Sequence, residues 1–451
     1  MRTVLKLAAA AVALCMVLVP GMISKDTVPA DQGIENGDLT GDIGEAVGLG
    51  TTEAPQPVES EDADLRSWTV AMYWDADNDL DSFTETFIGI WKESLTNRVD
   101  VALSAYIDGL TTPANYSTLT EDGWEEVRAL GELNSSDPKT LSDFITFTMT
   151  EPTLAAEHYM LVIQDHGLGY IGICVEESEP NRPWMSIDGL GRAIGDAKAA
   201  TGKMLDIIEL DACSMALVEV AYELRDKAGY LVASEKAVPF DGLNYRALLG
   251  GLSADPDTAP LDLAIKMVDD YEEWYTAPLG TYPTLYPYLQ DFASLSVLDL
   301  SKMQPIADAF AALGEAILPT DMGLKGPMTE AAKSAMVAMW ENCMGCDYTA
   351  DIRVMFTEFG RRIRDSYPTV AEITDKIVAA ADDIIVHDWA SWRFRGRETG
   401  MSVFVCPGEG MFYLNWDTTW NRVYNELDMD FVTDTGWDEV LLSYFGSQKM
   451  A

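Results

Sequence analysis

Histidine is the scarcest reactive residue in this 451-residue chain: there are three, beside six cysteines. Bases are also few, 30 lysines and arginines against 74 acids, for a formal net charge of −44. That balance lacks the basic footprint that nucleic acid or an anionic membrane surface demands of a partner. With three histidines and no second cysteine pair, Cys343-Met-Gly-Cys346 lacks the ligands of a zinc site and reads as structural. No G-x-S-x-G elbow occurs, which argues against a serine hydrolase of the α/β type. Base is wholly missing between Asp26 and Asp64, where eleven acids stand among Gly, Pro, Thr and Ser without any hydrophobic period. Such a stretch cannot bury enough apolar surface to fold, so residues 25–65 are expected to be an acidic disordered linker or pro-segment.

Long apolar runs are missing too, except at the start. Arg2 and Lys6 precede an Ala-rich stretch from Leu7 to Val19, closed by Pro20-Gly21. Residues 1–24 therefore read as an export signal, or as an uncleaved anchor, which places the protein outside the cytoplasm, secreted or at the cell surface. A membrane is a partner only in the anchor case. Five cysteines remain beyond this segment, and an odd count in an exported protein flags one free thiol. Cys213 is the candidate; the other four have the numbers for up to two disulfides.

What the chain does have is a series of short, β-branched apolar runs separated by helical periodicities. Trp68–Trp74, Val99–Ile107, Tyr159–Asp165, Leu205–Leu210 and Tyr230–Ser234 read as strands, and Phe83–Leu95, Ser136–Met149, Asp188–Ala200 and Ser214–Lys227 as helices. Thr118–Leu130 reads as a hairpin, and residues 174–187 as a polar loop. This order predicts an α/β fold over residues 66–252, with a mostly parallel sheet flanked by helices. Residues 253–451 read as a mainly helical subdomain whose strands, Ser294–Leu298 and Gly400–Cys406, extend the sheet. His387 falls in an expected helix end.

Two of the strands end in reactive side chains. Tyr159-Met-Leu-Val-Ile-Gln-Asp-His166 and Leu205-Asp-Ile-Ile-Glu-Leu-Asp-Ala-Cys213 place an imidazole and a thiol 47 positions apart, room for one crossover helix. Both would emerge at the carboxyl edge of the sheet, where open α/β folds build their sites. A thiol beside an imidazole is a nucleophile–base pair. With Cys213 just before an expected helix, the helix dipole should lower the thiol pKa. Asp165 adjoins His166, but consecutive strand residues face opposite sides, so it is expected to miss the imidazole. Asp75-Ala-Asp-Asn-Asp79 resembles the opening of a calcium loop, yet Leu80 and Thr86 break that pattern, so Asp75, Asp77 and Asp79 remain only weak candidates for metal oxygen ligands.

The chain resembles the clostripain family of cysteine peptidases, relatives of caspases, gingipains and legumains. Four stretches carry the resemblance: Trp74-Asp-Ala-Asp-Asn-Asp-Leu80, Ile163-Gln-Asp-His-Gly-Leu-Gly169, Leu210-Asp-Ala-Cys-Ser-Met-Ala216, and Val232-Ala-Ser-Glu235 with Phe240-Asp-Gly-Leu-Asn-Tyr245. It implies a caspase-like fold and a Cys213–His166 dyad, with an oxyanion hole formed by the backbone N–H groups of Gly167 and Cys213. It also implies endopeptidase cleavage of peptide or protein substrates after Arg or Lys, with Asp211 and Asp241 lining the first specificity pocket. No cofactor is required for that chemistry, although calcium dependence is common among relatives. Self-cleavage between the His and Cys strands is common as well; the one base in that polar loop, Arg182, is followed by Pro183. The alternative within the same resemblance is a non-catalytic caspase-like binding module.

Overall fold

Alternation along the apolar runs sets the architecture. In the computed structural model, which describes residues 65–180, 182–278, 281, 291, 293–319, 323–336, 349–405, 424 and 427–444, they become strands of one sheet. The leader and acidic segment, as well as Cys343, Cys346 and Cys406, lie outside the described residues. In chain order the first half supplies β1 (Arg66–Ala76), α1 (Thr84–Ser94), β2 (Val101–Gly109), β3 (Thr112–Thr120), β4 (Gly123–Gly131), α2 (Pro138–Thr150) and β5 (Ala156–Gln164). The short strands β6 (Ile173–Val175) and β7 (Trp184–Met185) follow, then α3 (Ile187–Thr201), β8 (Leu205–Asp211), α4 (Val218–Leu224), β9 (Ala228–Ala233) and α5 (Tyr245–Ala254).

The second half brings α6 (Pro260–Thr276), β10 (Ser294–Asp299), α7 (Gln304–Ile317), α8 (Lys325–Ala335), β11 (Thr349–Asp351), α9 (Ile352–Ile363) and α10 (Pro368–Ile384). It ends with β12 (Ile385–Ala390), β13 (Ser402–Phe404), α11 (Asp430–Thr435) and α12 (Trp437–Tyr444). Nine strands form the sheet in the order β12-β10-β9-β8-β5-β1-β2-β3-β4. The five central strands, β9 to β2, are mutually parallel; β10 and β12 at one side and β3 and β4 at the other are added by antiparallel pairings, so that β10 and β3 run against the central strands and β12 and β4 with them. Bulges interrupt the β3–β4 and β10–β12 pairings at both flanks.

Because side chains alternate across a strand, each central strand feeds two cores. Tyr159, Leu161 and Ile163 of β5 pack into the cluster that also holds Phe144 of α2, Ile194 of α3, Val220 of α4 and Phe310 and Phe359 from the second half. Met160 and Val162 face the opposite cluster, with Phe87 and Trp91 of α1, Leu249 of α5 and Met267 of α6. The helices are set by local chemistry. Asp137 accepts from Lys139 N and Pro138 opens α2; Ser186 accepts from Gly189 N at the start of α3, which Gly202 closes at φ 68°. Trp74 is fully buried against Phe87 at 4.8 Å and donates its indole N–H to Thr84 at 2.8 Å. Its burial stabilises the first strand–helix corner by about 2–3 kcal/mol.

Three expectations change. The polar loop of residues 174–187 contains the β6–β7 hairpin. His387 belongs to β12 rather than a helix end, and contacts Asp269 of α6 at 2.8 Å. The helix expected from Ser214 starts only at Val218.

Candidate active site

The site is built at the carboxyl ends of β5 and β8. Their parallel register pairs Gln164 with Asp211, so His166 and Cys213 each lie two residues beyond the last paired position. Between them the backbones are in contact. A β-carbon on Gly167 would collide with the Cys213 carbonyl oxygen and stand 3.0 Å from the Cys213 nitrogen, so only glycine permits this approach. Beyond Cys213 the chain does not enter a helix. Ser214 adopts φ 61°, strained for a residue with a side chain, and its N–H donates to Lys236 O at 2.6 Å. Ala216 N then donates to Ser234 O at 2.9 Å, which stitches the turn to the chain leaving β9.

Cys213 and Cys174 are both free thiols, so Cys174 takes no part in a disulfide; it is a fully buried side chain in the core. The Cys213 sulfur accepts from Val238 N at 3.4 Å. Burial pushes its thiol up to about 11, partly offset by that N–H. The expected depression by a helix dipole is overturned because the helix begins five residues later, too far for its end to act. At neutral pH the group rests as a thiol.

His166 has a partner that lies far away in sequence. Its Nε2 is 2.7 Å from Asp79 Oδ1, so Nδ1 is the nitrogen left for chemistry. Burial pulls the imidazole pKa down, but the Asp79 hydrogen bond and the Asp165 and Asp79 charges outweigh it, and the net shift is upward. Asp165 itself accepts from Asn78 Nδ2 at 2.7 Å and from Val175 N at 2.5 Å, turned away from the ring as the strand alternation requires. The three acids of the calcium-like stretch thus go three ways. Asp79 binds the imidazole, Asp75 lies with Asp165 and Cys174 in the core, and Asp77 meets Glu132 and Glu176.

Asp211 is buried below the thiol. Tyr245 OH at 2.6 Å and Leu243 N at 3.0 Å both donate to Oδ2, and no donor among the described residues reaches Oδ1. Gly242, at φ 60°, has no room for a β-carbon against the same carboxylate. Burial raises the Asp211 pKa to about 6, against the pull of those two donors. The Tyr275 phenol, raised by burial and Tyr271, is raised further by Asp241 and Asp211, so both carboxylates are its neighbours. Glu209 lies two residues before Asp211 on the same face, fully buried and pushed well up by burial and by Asp211. An acid deep inside the run Leu205-Asp-Ile-Ile-Glu-Leu, beyond the one at its start, was the signal for it; Asp79's contact with His166 had none.

A mostly parallel sheet walled by helices, with a thiol and an imidazole at neighbouring strand ends, is the architecture of the caspase-like cysteine proteases. The clostripain family model matches residues 72–444, and the chain belongs to that family of cysteine proteases. Its structure is similar to that of a secreted C11 cysteine protease from Bacteroides thetaiotaomicron in complex with an irreversible peptide inhibitor, with 17% identity and a TM-score of 0.60 over 82% of this chain and 99% of that one. It is also similar to an inactive zymogen C11 protease from Parabacteroides distasonis, at 17% identity and TM-score 0.59 over 82% and 98% of the two chains. At such identity the likeness speaks to the fold. A search of the curated proteins finds no match. Among the described residues no helix is long and apolar enough to cross a membrane.

Proposed function

We propose that this clostripain-family protease is an exported endopeptidase that cleaves peptide bonds after arginine or lysine, with Cys213 as nucleophile and His166 as its base. The observation that carries the reading is the Gln164–Asp211 register, which brings imidazole, thiol and a buried carboxylate to one sheet edge. His166 takes the thiol proton as sulfur adds to the scissile carbonyl carbon. The oxyanion is received by the backbone N–H groups of Gly167 and Cys213. The imidazolium then protonates the departing amine as the C–N bond breaks, leaving a thioester. Water, deprotonated by the same imidazole, releases the acid and restores the thiol. Asp211 and Asp241 supply the negative charge that a guanidinium or ammonium side chain requires at the pocket floor. The basic, apolar leader of residues 1–24 supports export.

Fluorogenic peptides ending in Arg, Lys, Asn or Asp test the assignment. Arg and Lys substrates are expected to be cleaved, with Asn and Asp substrates slower by about 10²-fold or more. Equal rates across the four would refute the pocket, and no turnover of any would favour a non-catalytic module.

The Asp79 contact adds a pH signature. Asp79 raises the imidazole pKa, and the base must be neutral to work, so the acid limb of kcat/KM should lie above the ordinary histidine value. Asp79→Asn should move that limb to lower pH while kcat falls by about 10²-fold, since the ring loses its orienting partner. A limb that stays in place would remove Asp79 from the mechanism.

A further inference from the structure

We infer that the acidic stretch Asp26–Glu45 docks on an arginine loop at the catalytic edge of the sheet, where Trp392, Arg393, Arg395 and Arg397 follow β12. Two antiparallel pairings, β9 with β10 and β10 with β12, make β12 run with β8, so its carboxyl end lies on the same edge as Cys213. Three strand spacings separate β12 from β8, about 14 Å. The chain leaving the loop is tied to the catalytic turn: Gly400 N donates to Glu235 Oε1 at 2.6 Å, and Ser402 N to Ala216 O at 2.9 Å. The loop itself is anchored from below. Phe394 is buried, Ser391 OH donates to Asp291 O at 2.6 Å, and the Thr399 N–H and OH both donate to Asp351 Oδ2. That frame turns Arg393, Arg395 and Arg397 outward, all exposed. Arg393 stands 3.7 Å from Asp291 and over the Trp392 ring, which at 67% is the most exposed large apolar side chain among the described residues.

The decisive observation concerns Arg395 and Arg397. Every other described arginine is engaged by a carboxylate, an aromatic ring or backbone carbonyls. These two guanidiniums make no side-chain hydrogen bond or ion pair with a described residue. In a chain of net charge −44, that exception calls for an acidic ligand from outside the described residues. The chain carries one. Six acids and no base stand between Asp26 and Glu45, and repulsion from the rest of the acidic surface disfavours other resting places. Glu45 lies 65 − 45 = 20 residues before Leu65 at the start of β1, a reach of about 66 Å. From there to the loop is the length of the 11-residue β1, about 36 Å, and five strand spacings, about 24 Å. The difference is enough to pass around the flanking helices. Tethering also holds the segment at a millimolar local concentration, which suffices for exposed ion pairs that are weak between separate molecules. Docked there, the segment lies along the rim beside the Cys213 turn.

The test uses full-length Cys213→Ala protein, in which self-cleavage cannot remove the segment and the peptidase assignment has no bearing on the outcome. A glutamate-specific endopeptidase cuts after Glu35 and Glu45. At about 10 mM salt it should do so about threefold more slowly than in the same protein carrying Arg395→Glu and Arg397→Glu, and the difference should vanish at about 0.5 M NaCl. Both arginines are exposed, so the two proteins should share one Tm. A second variant, Arg395→Lys, keeps the charge and adds an amine. Zero-length carbodiimide coupling and peptide mapping should then join position 395 to an acid between Asp26 and Glu45 of the same chain. Equal cleavage rates at low salt would overturn the proposal. So would coupling at position 395 confined to acids beyond Leu65, or to those of a second copy.

Discussion

Replacing Cys213 by alanine is expected to lower kcat/KM on Arg-terminated peptide amides by about 10⁴-fold or more, because every covalent step passes through its sulfur. The loss should not reflect unfolding. Among the described residues the hydrogen bonds of the sulfur are with Val238 alone, and the Ser214 and Ala216 backbone bonds that shape the turn survive the change. Circular dichroism and Tm should therefore stay close to those of the parent. Peptide mass mapping after iodoacetamide should find the Cys213 peptide modified and the Cys174 peptide unmodified, since Cys174 is fully buried. Turnover that survives Cys213→Ala would require another nucleophile and sink the mechanism.

The second large effect is expected at Asp211. Asp211→Asn removes the buried charge that faces a basic substrate side chain, and should cost about 10²–10³-fold in kcat/KM for Arg and Lys peptides. Its amide oxygen can still accept from Tyr245 OH and Leu243 N, so the loop over the pocket should hold. The pH dependence of stability separates charge from scaffold. Burial raises the folded-state pKa of Asp211 to about 6, above its ordinary value, so the folded protein binds that proton more tightly than the unfolded chain. The parent should thus gain stability as pH falls from above 6 towards the ordinary carboxylate value, with no further gain from this group below it. The Asn variant should lack that contribution and melt no lower than the parent at pH 7. A lower melting temperature at pH 7, or an unchanged preference for basic residues, would show that Asp211 serves the scaffold instead.

Much of the central sheet was legible because it is written in contiguous residues. Tyr159–Ile163 is apolar without interruption, as a strand buried on both faces must be, Leu205–Leu210 is broken only by Asp206 and Glu209, and the polar residues that end the two runs mark the site. The turn after Cys213 was not legible. Met215, Val218 and Tyr222 keep a helical period, but the left-handed Ser214 and its bond to Lys236 O hold the chain off the helix until Val218. That same delay explains why the thiol sits high rather than low in pKa. In β12 the periodicity of α10 runs on into the strand, and only pairing with β10 distinguishes them. Asp79 looked like a metal-type acid because its partner is 87 residues away. The tyrosines around Asp211 likewise come from two helices, α5 and α6, that no local pattern joins to β8.

The two flanks of the sheet have a bearing on what a protease meets in solution. An extended substrate peptide is itself an unpaired strand, and any open sheet edge is a place for it to dock. On β4, exposed Glu125, Glu126 and Arg128 face solvent, and the bulges near Asn115 and Ser117 twist the edge. On β12 a bulge near Val297 breaks the ladder, and His387 and Asp388 bring polar groups to the rim. Both borders are therefore poor templates for further pairing. A protease whose substrates are peptides is thus kept from collecting extended chains, or copies of itself, along either border of its sheet.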